Sequence, residues 1–172
     1  MEKLHISVSP HIRSSITTQK IMLDVIIALL PATVAGCIIF GLSSVFVILA
    51  CILSAVLFEY LFNLATKRTQ TVSDLSAVVT GLLLALNLPA NTPIWQCVVG
   101  SAFAIIIVKC LFGGIGCNLV NPAITARVFM LIAFKNLAVP AFPVDSVSSA
   151  TPLVQLAEGQ SVSLTNLFLG NV

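Results

Sequence analysis

The residues best suited to covalent chemistry lie in a short polar strip near the end of the chain, Asp145-Ser-Val-Ser-Ser-Ala-Thr151. Thr151 carries a hydroxyl that can act as a nucleophile, and the small side chains of Ser148 and Ala150 leave room for an enzyme to reach it. Clusters of Ser, Thr and Asp are also typical of plain connecting loops. The strip therefore has two interpretations. It is either an attachment site at Thr151 or a loop without chemistry.

A second candidate is the glycine-rich run Gly113-Gly-Ile-Gly-Cys-Asn-Leu-Val-Asn-Pro-Ala123. Its glycines permit a sharp turn and a close approach to a ligand, and such a turn before a helix N-terminus can hold anionic groups. Asn118 and Asn121 are expected to share a face of the following helix with Thr125. Both asparagines are therefore candidate cofactor ligands, and the alternative is an ordinary turn between two helices.

Arg127 follows in the same apolar segment. An arginine at the centre of a membrane helix costs about 2.5–3.5 kcal/mol on insertion scales. We therefore expect its guanidinium to contact an acid, a cluster of backbone carbonyls or an anionic cofactor.

Three acids, Asp24, Glu59 and Asp74, lie within or beside apolar segments. An ionisable group in a membrane segment is a functional hypothesis by default, so these carboxylates are candidates for an ion pathway. Glu59 has Asn63 one helical turn further on, which places both on one face. The alternative for Asp24 and Asp74 is the capping of a helix N-terminus.

A polar stripe consists of Ser73, Ser76, Thr80 and Asn87, whose spacing predicts a common helix face. It predicts either a tight helix–helix contact through small and hydroxyl side chains or the wall of a cavity.

The composition indicates that lipid is the main solvent of this chain. Of its 172 residues 58% are hydrophobic and 8% are charged, with a mean hydropathy of +1.10, whereas soluble domains carry about 25% charged residues. The net charge of +2 does not indicate a nucleic-acid partner, and the first 20 residues lack the pattern of a cleaved signal peptide. The five cysteines form no CxxC pair, disulfide framework or metal-ligand set, so each is expected to be a small buried hydrophobe.

Five segments are apolar and about long enough to cross a bilayer, which takes about 20 residues: residues 21–40, 45–65, 72–88, 94–112 and 119–137. They predict an all-α integral membrane protein of five transmembrane helices. Residues 1–20 form a cytoplasmic segment and residues 138–172 an extracytoplasmic loop. An odd number of spans, with a new apolar run starting at Leu164, predicts that this is the N-terminal half of a longer protein.

Positive residues predict the orientation, because Lys and Arg prefer the cytoplasmic side. They precede the first span, separate the second from the third, and end the fourth with Lys109, whereas the other two links carry none. Lys135 is the exception, and no Lys or Arg follows it. The N-terminus is therefore expected in the cytoplasm and Thr151 outside it.

These residues resemble a family of membrane proteins, the D subunits of Rnf ferredoxin:NAD oxidoreductase complexes and the homologous B subunits of sodium-pumping NADH:quinone oxidoreductases. The resemblance is carried by Ser9-Pro-His11, Gly81–Pro89, Gly113–Ala123 and Asp145–Leu153, and it covers essentially the whole chain. The short segment before the first span favours the Rnf type.

The resemblance implies a covalent cofactor. In this family a flavin transferase recognises a strip of the type Asp-x-x-Ser-Gly-Ala-Thr and links FMN through its phosphate to the threonine hydroxyl. Thr151 is then the attachment residue, and Asp145, Ser148 and Ala150 match the rest of the recognised strip. Ser149 stands where glycine is commoner. The resemblance leaves open a second flavin, such as riboflavin, held without a covalent bond near residues 113–121.

It also implies about ten helices in two similar halves, a bacterial inner membrane, and partner subunits that carry iron–sulfur clusters and flavin. The chain would relay electrons between ferredoxin and NAD while sodium or proton transport is driven. No nicotinamide-binding motif is present in this chain. Two other functions remain from the residues alone: half of a non-redox secondary transporter or channel, and a purely structural membrane protein.

Overall fold

The computed structural model describes residues 16–134, which form helices joined by turns and contain no strand. Their helices are α1 (Thr18–Phe40), α2 (Leu42–Ala65), α3 (Ser76–Leu86), α4 (Ile94–Ala102) and α5 (Pro122–Ala133). A short 3-10 turn, Val72–Asp74, precedes α3, and a π-helical segment, Phe103–Cys110, continues α4. The all-helical prediction is confirmed for these residues.

Helices α1 and α2 are long enough to cross a membrane. They have 23 and 24 residues, or about 35 Å at 1.5 Å per residue, against a hydrocarbon thickness of about 30 Å. A single residue, Gly41, separates them with a φ of 71°. Thr17 caps α1 by accepting a hydrogen bond from the Lys20 backbone N–H. Asp24 therefore does not cap this helix, and it lies exposed beyond the first turn.

The other helices are shorter than the sequence predicts. Leu75 adopts a left-handed conformation with a φ of 60°, which separates the 3-10 turn from α3 and reduces the predicted span 72–88 to 11 helical residues. Helix α5 begins only at Pro122 and has 12 residues. In the described part of the chain two helices, α1 and α2, are long and apolar enough to span a membrane. The count of five spans stays a prediction.

Helix α2 lies at the centre of the packing, and α3 and α4 both contact it at Cys51. A Cβ built on Gly81 of α3 would come within 2.8 Å of the Cys51 carbonyl oxygen, so only glycine permits this approach. The Ser101 hydroxyl of α4 donates to the same carbonyl oxygen at 3.3 Å. Helix α1, by contrast, has no buried residue.

Helix α5 closes the core from the side of α4. The rings of Phe103 and Phe129 are parallel, with centroids 4.1 Å apart. The Met130 sulfur fills the space beside Gly100, and Met130 is fully buried. These contacts fix the end of α4. The π-helical segment that continues α4 carries Lys109, a residue of the candidate site.

Candidate functional site

The candidate site is built around a buried ion pair between Glu59 of α2 and Lys109 of the π-helical segment. The Lys109 ammonium lies 2.9 Å from each carboxylate oxygen of Glu59 and 2.6 Å from the Ser76 hydroxyl oxygen. Glu59 is 1% exposed and Lys109 2% exposed. An ammonium has three protons to donate, so these three contacts satisfy it completely.

The carboxylate has further partners on its other side. The Thr71 hydroxyl donates to Glu59 Oε1 at 2.7 Å, and the Asn63 amide donates to Thr71 Oγ1 at 3.0 Å. The network therefore connects α2, the turn after it, α3 and the π-helical segment. Buried charges are tolerated when they are paired and hydrogen-bonded, and both conditions hold here.

Local backbone geometry carries Lys109 into this position. The Leu111 N–H donates to the Ile106 carbonyl, five residues earlier, and the Gly114 N–H donates to the Lys109 carbonyl at 3.0 Å. Gly113 and Gly114 have φ values of 114° and 97°, which L-residues with side chains rarely adopt. The sharp glycine turn expected from the sequence is confirmed, and it begins four residues after the lysine.

A cavity of about 390 Å³ adjoins the network. Its lining residues include the two acids Glu59 and Asp74, the polar residues Asn63 and Thr71, and the Gly113–Gly114 turn. Two of the three acids predicted as ion-pathway candidates therefore meet at one cavity. The third, Asp24, lies exposed on α1 and is not among the lining residues.

Arg68 also lines the cavity. Its guanidinium donates to the Cys110 carbonyl oxygen at 3.1 Å and lies 5.8 Å from the centroid of the Phe62 ring. With Lys109, it balances the two carboxylates of Glu59 and Asp74. Among the residues that the structure describes, the surroundings of the cavity thus hold two positive and two negative side chains.

The predicted polar stripe does not form one face. Ser73 lies in the 3-10 turn, before the left-handed residue Leu75 that interrupts the helix. Ser76 and Thr80 are buried in α3, and the Thr80 hydroxyl donates to the Ser76 carbonyl. Asn87 is exposed at the end of α3 and donates to the Leu83 carbonyl. Of the stripe, only Ser76 reaches the ion pair.

The two asparagines before α5, Asn118 and Asn121, differ in their hydrogen bonding. Asn121 is the N-cap of α5, and its side-chain oxygen accepts from the backbone N–H groups of Ala123 and Ile124 at 3.0 and 3.4 Å. Asn118 precedes the helix, so it does not share a helix face with Asn121 and Thr125 as predicted. Its Oδ1 is buried and has no hydrogen-bond partner within residues 16–134. Such an acceptor suits an N–H donor from a ligand.

Arg127 is half-buried in α5. Its predicted contact with an anionic cofactor stays a prediction, as do the cofactor roles of Asn118 and Asn121. Asp145, Ser148, Ala150 and Thr151 lie outside the described residues.

The cysteines follow the sequence expectation only in part. Cys51, Cys97 and Cys110 are buried, Cys37 is half-buried, and Cys117 is exposed in the glycine turn. The expectation of burial is wrong for Cys117, because the turn carries it out of the apolar packing. No group of three or more metal-ligating side chains occurs among the residues described.

Sequence reasoning missed Lys109 as a site residue. It was interpreted as a positive charge that marks the cytoplasmic end of a span, yet it is buried and paired with Glu59. The available signal was its position inside the apolar run Ile105–Phe112, because an intramembrane lysine needs a partner. Thr71 and Arg68 gave no comparable signal, since polar residues in a connecting segment are ordinary.

Comparison with known proteins identifies the family of the chain independently of this site. The sequence model of the NQR2, RnfD, RnfE family matches residues 5–172. The chain is 46% identical over 173 aligned positions to the D subunit of the Na(+)-translocating ferredoxin:NAD(+) oxidoreductase complex of Acetobacterium woodii, and the match covers 97% of this chain and 54% of the relative.

Other relatives carry related names. The D subunit of the proton-translocating ferredoxin:NAD(+) oxidoreductase complex of Clostridium ljungdahlii is 39% identical, covering 86% of this chain and 46% of that protein. The D subunit of the ion-translocating oxidoreductase complex of Rhodobacter capsulatus is 38% identical, covering 98% and 46% respectively. The chain spans about half the length of the curated relatives it matches.

Proposed function

The chain belongs to the NQR2, RnfD, RnfE family, and on that premise we propose that it acts as a D-type membrane subunit of an ion-translocating ferredoxin:NAD oxidoreductase complex. The observation that supports this role best is the 46% identity to the Acetobacterium woodii relative along 97% of the chain. The many exposed Ile, Leu, Val and Phe side chains of α1 and α2 suit a lipid environment. Oxidoreductase activity belongs to the assembled complex, in which other subunits carry iron–sulfur clusters and flavin.

The chain's redox contribution is FMN attached to Thr151. A hydroxyl nucleophile flanked by the small residues Ser148, Ser149 and Ala150 suits esterification by a flavin transferase, with Asp145 as part of the recognised strip. When bound, the flavin accepts and donates electrons. Attachment through the phosphate leaves the flavin ring accessible. The absence of Lys and Arg after Lys135 favours an extracytoplasmic position for the strip.

The chain's ion-handling contribution lies at the cavity beside Glu59 and Asp74. Two carboxylates, the Thr71 hydroxyl and the Asn63 amide surround one space, and oxygen ligands are what hard cations prefer. Asp24, on α1, is a candidate for the path that leads toward this space. The names of the relatives include both sodium and proton translocation, so the proposed cation is either of the two.

A second, noncovalent flavin near residues 113–121 has one structural observation in its favour. The buried Asn118 Oδ1 has no hydrogen-bond partner in the described part of the chain. The imide N–H of a flavin ring is a donor of the required kind. Arg127 is the candidate for a contact with the N1 and C2 carbonyl edge of that ring, where negative charge develops on reduction.

Peptide mass spectrometry of the complex from its native host tests the covalent cofactor. A peptide containing residues 141–172 should be heavier by FMN less one water. The added mass should disappear in Thr151→Val and persist in the matched control Thr165→Val. An unmodified mass in the unsubstituted protein contradicts the redox role and favours the second function, half of a non-redox transporter with Glu59 and Asp74 in its ion path.

A further inference from the structure

We propose that Lys109 is a tethered cation that occupies the position a translocated monovalent cation takes beside Glu59, so that uptake of the ion requires the ammonium to leave. This inference rests on the proposed ion-handling role of Glu59 and adds its regulation. Lys109 is positively charged, whereas the residues of the proposed ion path are acids, and Lys109 is not one of them.

The first supporting observation is the arrangement of oxygens around the ammonium. Glu59 Oε1, Glu59 Oε2 and Ser76 Oγ converge on Lys109 Nζ at 2.9, 2.9 and 2.6 Å. Without the ammonium, the same three oxygens leave one negative charge and a small oxygen-lined space. A sodium ion fits such a site by coordination, and a proton fits it by binding the carboxylate.

The second observation is that Glu59 lies in the wall of a cavity, although only 1% of its surface is exposed. Glu59 lines the space of about 390 Å³ together with Asp74 and Thr71. Within residues 16–134, the titratable and charged side chains around this space are Glu59, Asp74, Arg68, Lys109 and the thiol of Cys110. Glu59, Asp74, Arg68 and Lys109 balance in charge, so an arriving cation makes the site one charge too positive. Displacement of the ammonium from Glu59 relieves that excess locally.

The third observation is the backbone on which the lysine sits. Lys109 lies in a π-helical segment, four residues before the glycine turn at 113–116. Single π-helical turns are frequent at functional sites, since they adjust the register of a helix. A return of this segment to α-helical hydrogen bonding rotates Lys109 relative to Glu59, which provides a route for its departure.

A purely structural ion pair is the competing explanation. Replacement of a buried pair by apolar or neutral residues is often neutral or stabilising, so stability alone gives little reason to place both charges here. A structural pair also has no need of a cavity at the carboxylate.

Cation binding to the full-length protein in its purified complex tests the proposal, with radioactive sodium as the probe. Lys109→Met should bind sodium at least tenfold more tightly than the unsubstituted protein, and Glu59→Gln/Lys109→Met should lose the gain. If the cation is a proton, Lys109→Met should instead show the infrared carbonyl band of a neutral carboxylic acid, which the double variant lacks. Lys20→Met, which removes an exposed lysine, should change neither signal. The proposal is overturned if Lys109→Met shows neither signal.

A measurement on the unsubstituted protein covers the case in which Lys109→Met does not assemble. Acetylation of Lys109 by acetic anhydride, followed by mass spectrometry, should accelerate several-fold with saturating sodium but not with choline at equal ionic strength. A rate that is equal in both salts, while Lys20 is labelled normally, overturns the proposal in its sodium form. For the proton form, the rise of the neutral-acid carbonyl band on acidification should be smaller in Glu59→Gln than in the unsubstituted protein, and an equal rise in both overturns it.

Ion transport by the reconstituted complex tests the ion role of Glu59 separately from the tethered-cation role of Lys109. If Glu59→Gln/Lys109→Met transports normally, the ion role of Glu59 is wrong and the tethered-cation proposal fails with it. If the double variant loses transport while Lys109→Met gains no cation binding, only the proposal for Lys109 is overturned.

Discussion

The backbone of α2 at Cys51 lies so close to Gly81 of α3 that a methyl group on Gly81 would come 2.8 Å from the Cys51 carbonyl oxygen and 2.9 Å from the Ile52 Cα. Both contacts are with backbone atoms, which cannot move aside as a flexible side chain can. This contact sets the separation of the two helices that carry Glu59 and Ser76.

Gly81→Ala should therefore destabilise the protein. In an open helix position the same change stabilises by about 0.5–1 kcal/mol, whereas overpacking costs about 1–3 kcal/mol. Gly36→Ala is the matched control, because a Cβ at Gly36 meets nothing within 4 Å. Thermal unfolding in detergent should give a lower Tm for Gly81→Ala and an equal or higher Tm for Gly36→Ala. Equal Tm values for the two variants would contradict the close approach.

Neutralising one member of the buried pair should cost more than neutralising both. Lys109→Met leaves the Glu59 carboxylate buried without its ammonium, and loss of one partner costs about 3–5 kcal/mol. Glu59→Gln/Lys109→Met leaves no charge and should lose about 1 kcal/mol or less by the same reasoning. A double-mutant cycle from thermal or denaturant unfolding measures the difference. Simple additivity of the two single effects would show that the charges are not coupled.

Asn121 should act as a helix cap, and its substitution separates this role from a cofactor role. Asn121→Ala removes the acceptor for the Ala123 and Ile124 N–H groups and should cost about 1 kcal/mol. Asn121→Ser keeps a capping oxygen and should restore most of the stability. Capping alone predicts equal flavin content of the complex in both variants. Loss of noncovalent flavin in both would instead support the ligand role proposed for residues 113–121.

The acids should differ in their effect on ion transport. Asp74 lines the cavity with Glu59, whereas Asp24 is exposed on α1. Asp74→Asn should reduce ion uptake into vesicles, because it removes one of the two acids at the cavity. We expect a reduction of about tenfold, which corresponds to a barrier higher by about 1.4 kcal/mol. Asp24→Asn should reduce it less. Electron transfer measured with the vesicles made leaky separates a transport defect from a redox defect, and the reverse order of effects would contradict the assignment.

The sequence predicted the long helices well and the short ones poorly. Apolar length alone located α1 and α2 to within a few residues. It could not locate the start of α3, because the left-handed residue there is Leu75 and not the glycine or asparagine that usually marks such a break. Apolar residues continue through the break, so the sequence predicts one helix that contains both Ser73 and Ser76. In the structure the two residues lie on either side of Leu75 and do not share a helix.

The site was predictable in its acids but not in their partners. Glu59 and Asn63 lie one turn apart in the sequence, and the structure places both in the same network. Lys109 is 50 residues from Glu59 along the chain, and periodicity within a helix carries no information about pairing between helices. Its interpretation as an orientation marker followed a rule about loops, which does not apply to a lysine buried at the end of a helix.

The separation of the pair along the chain has a consequence for biosynthesis. A ribosome adds about 5–20 residues per second, so roughly 3–10 s pass between the synthesis of Glu59 and that of Lys109, 50 residues later. Thr71 follows Glu59 by only 12 residues and emerges well before the lysine does. In nascent chains, the hydroxyl neighbour is therefore available to the carboxylate before the ammonium, which arrives only with the fourth helix.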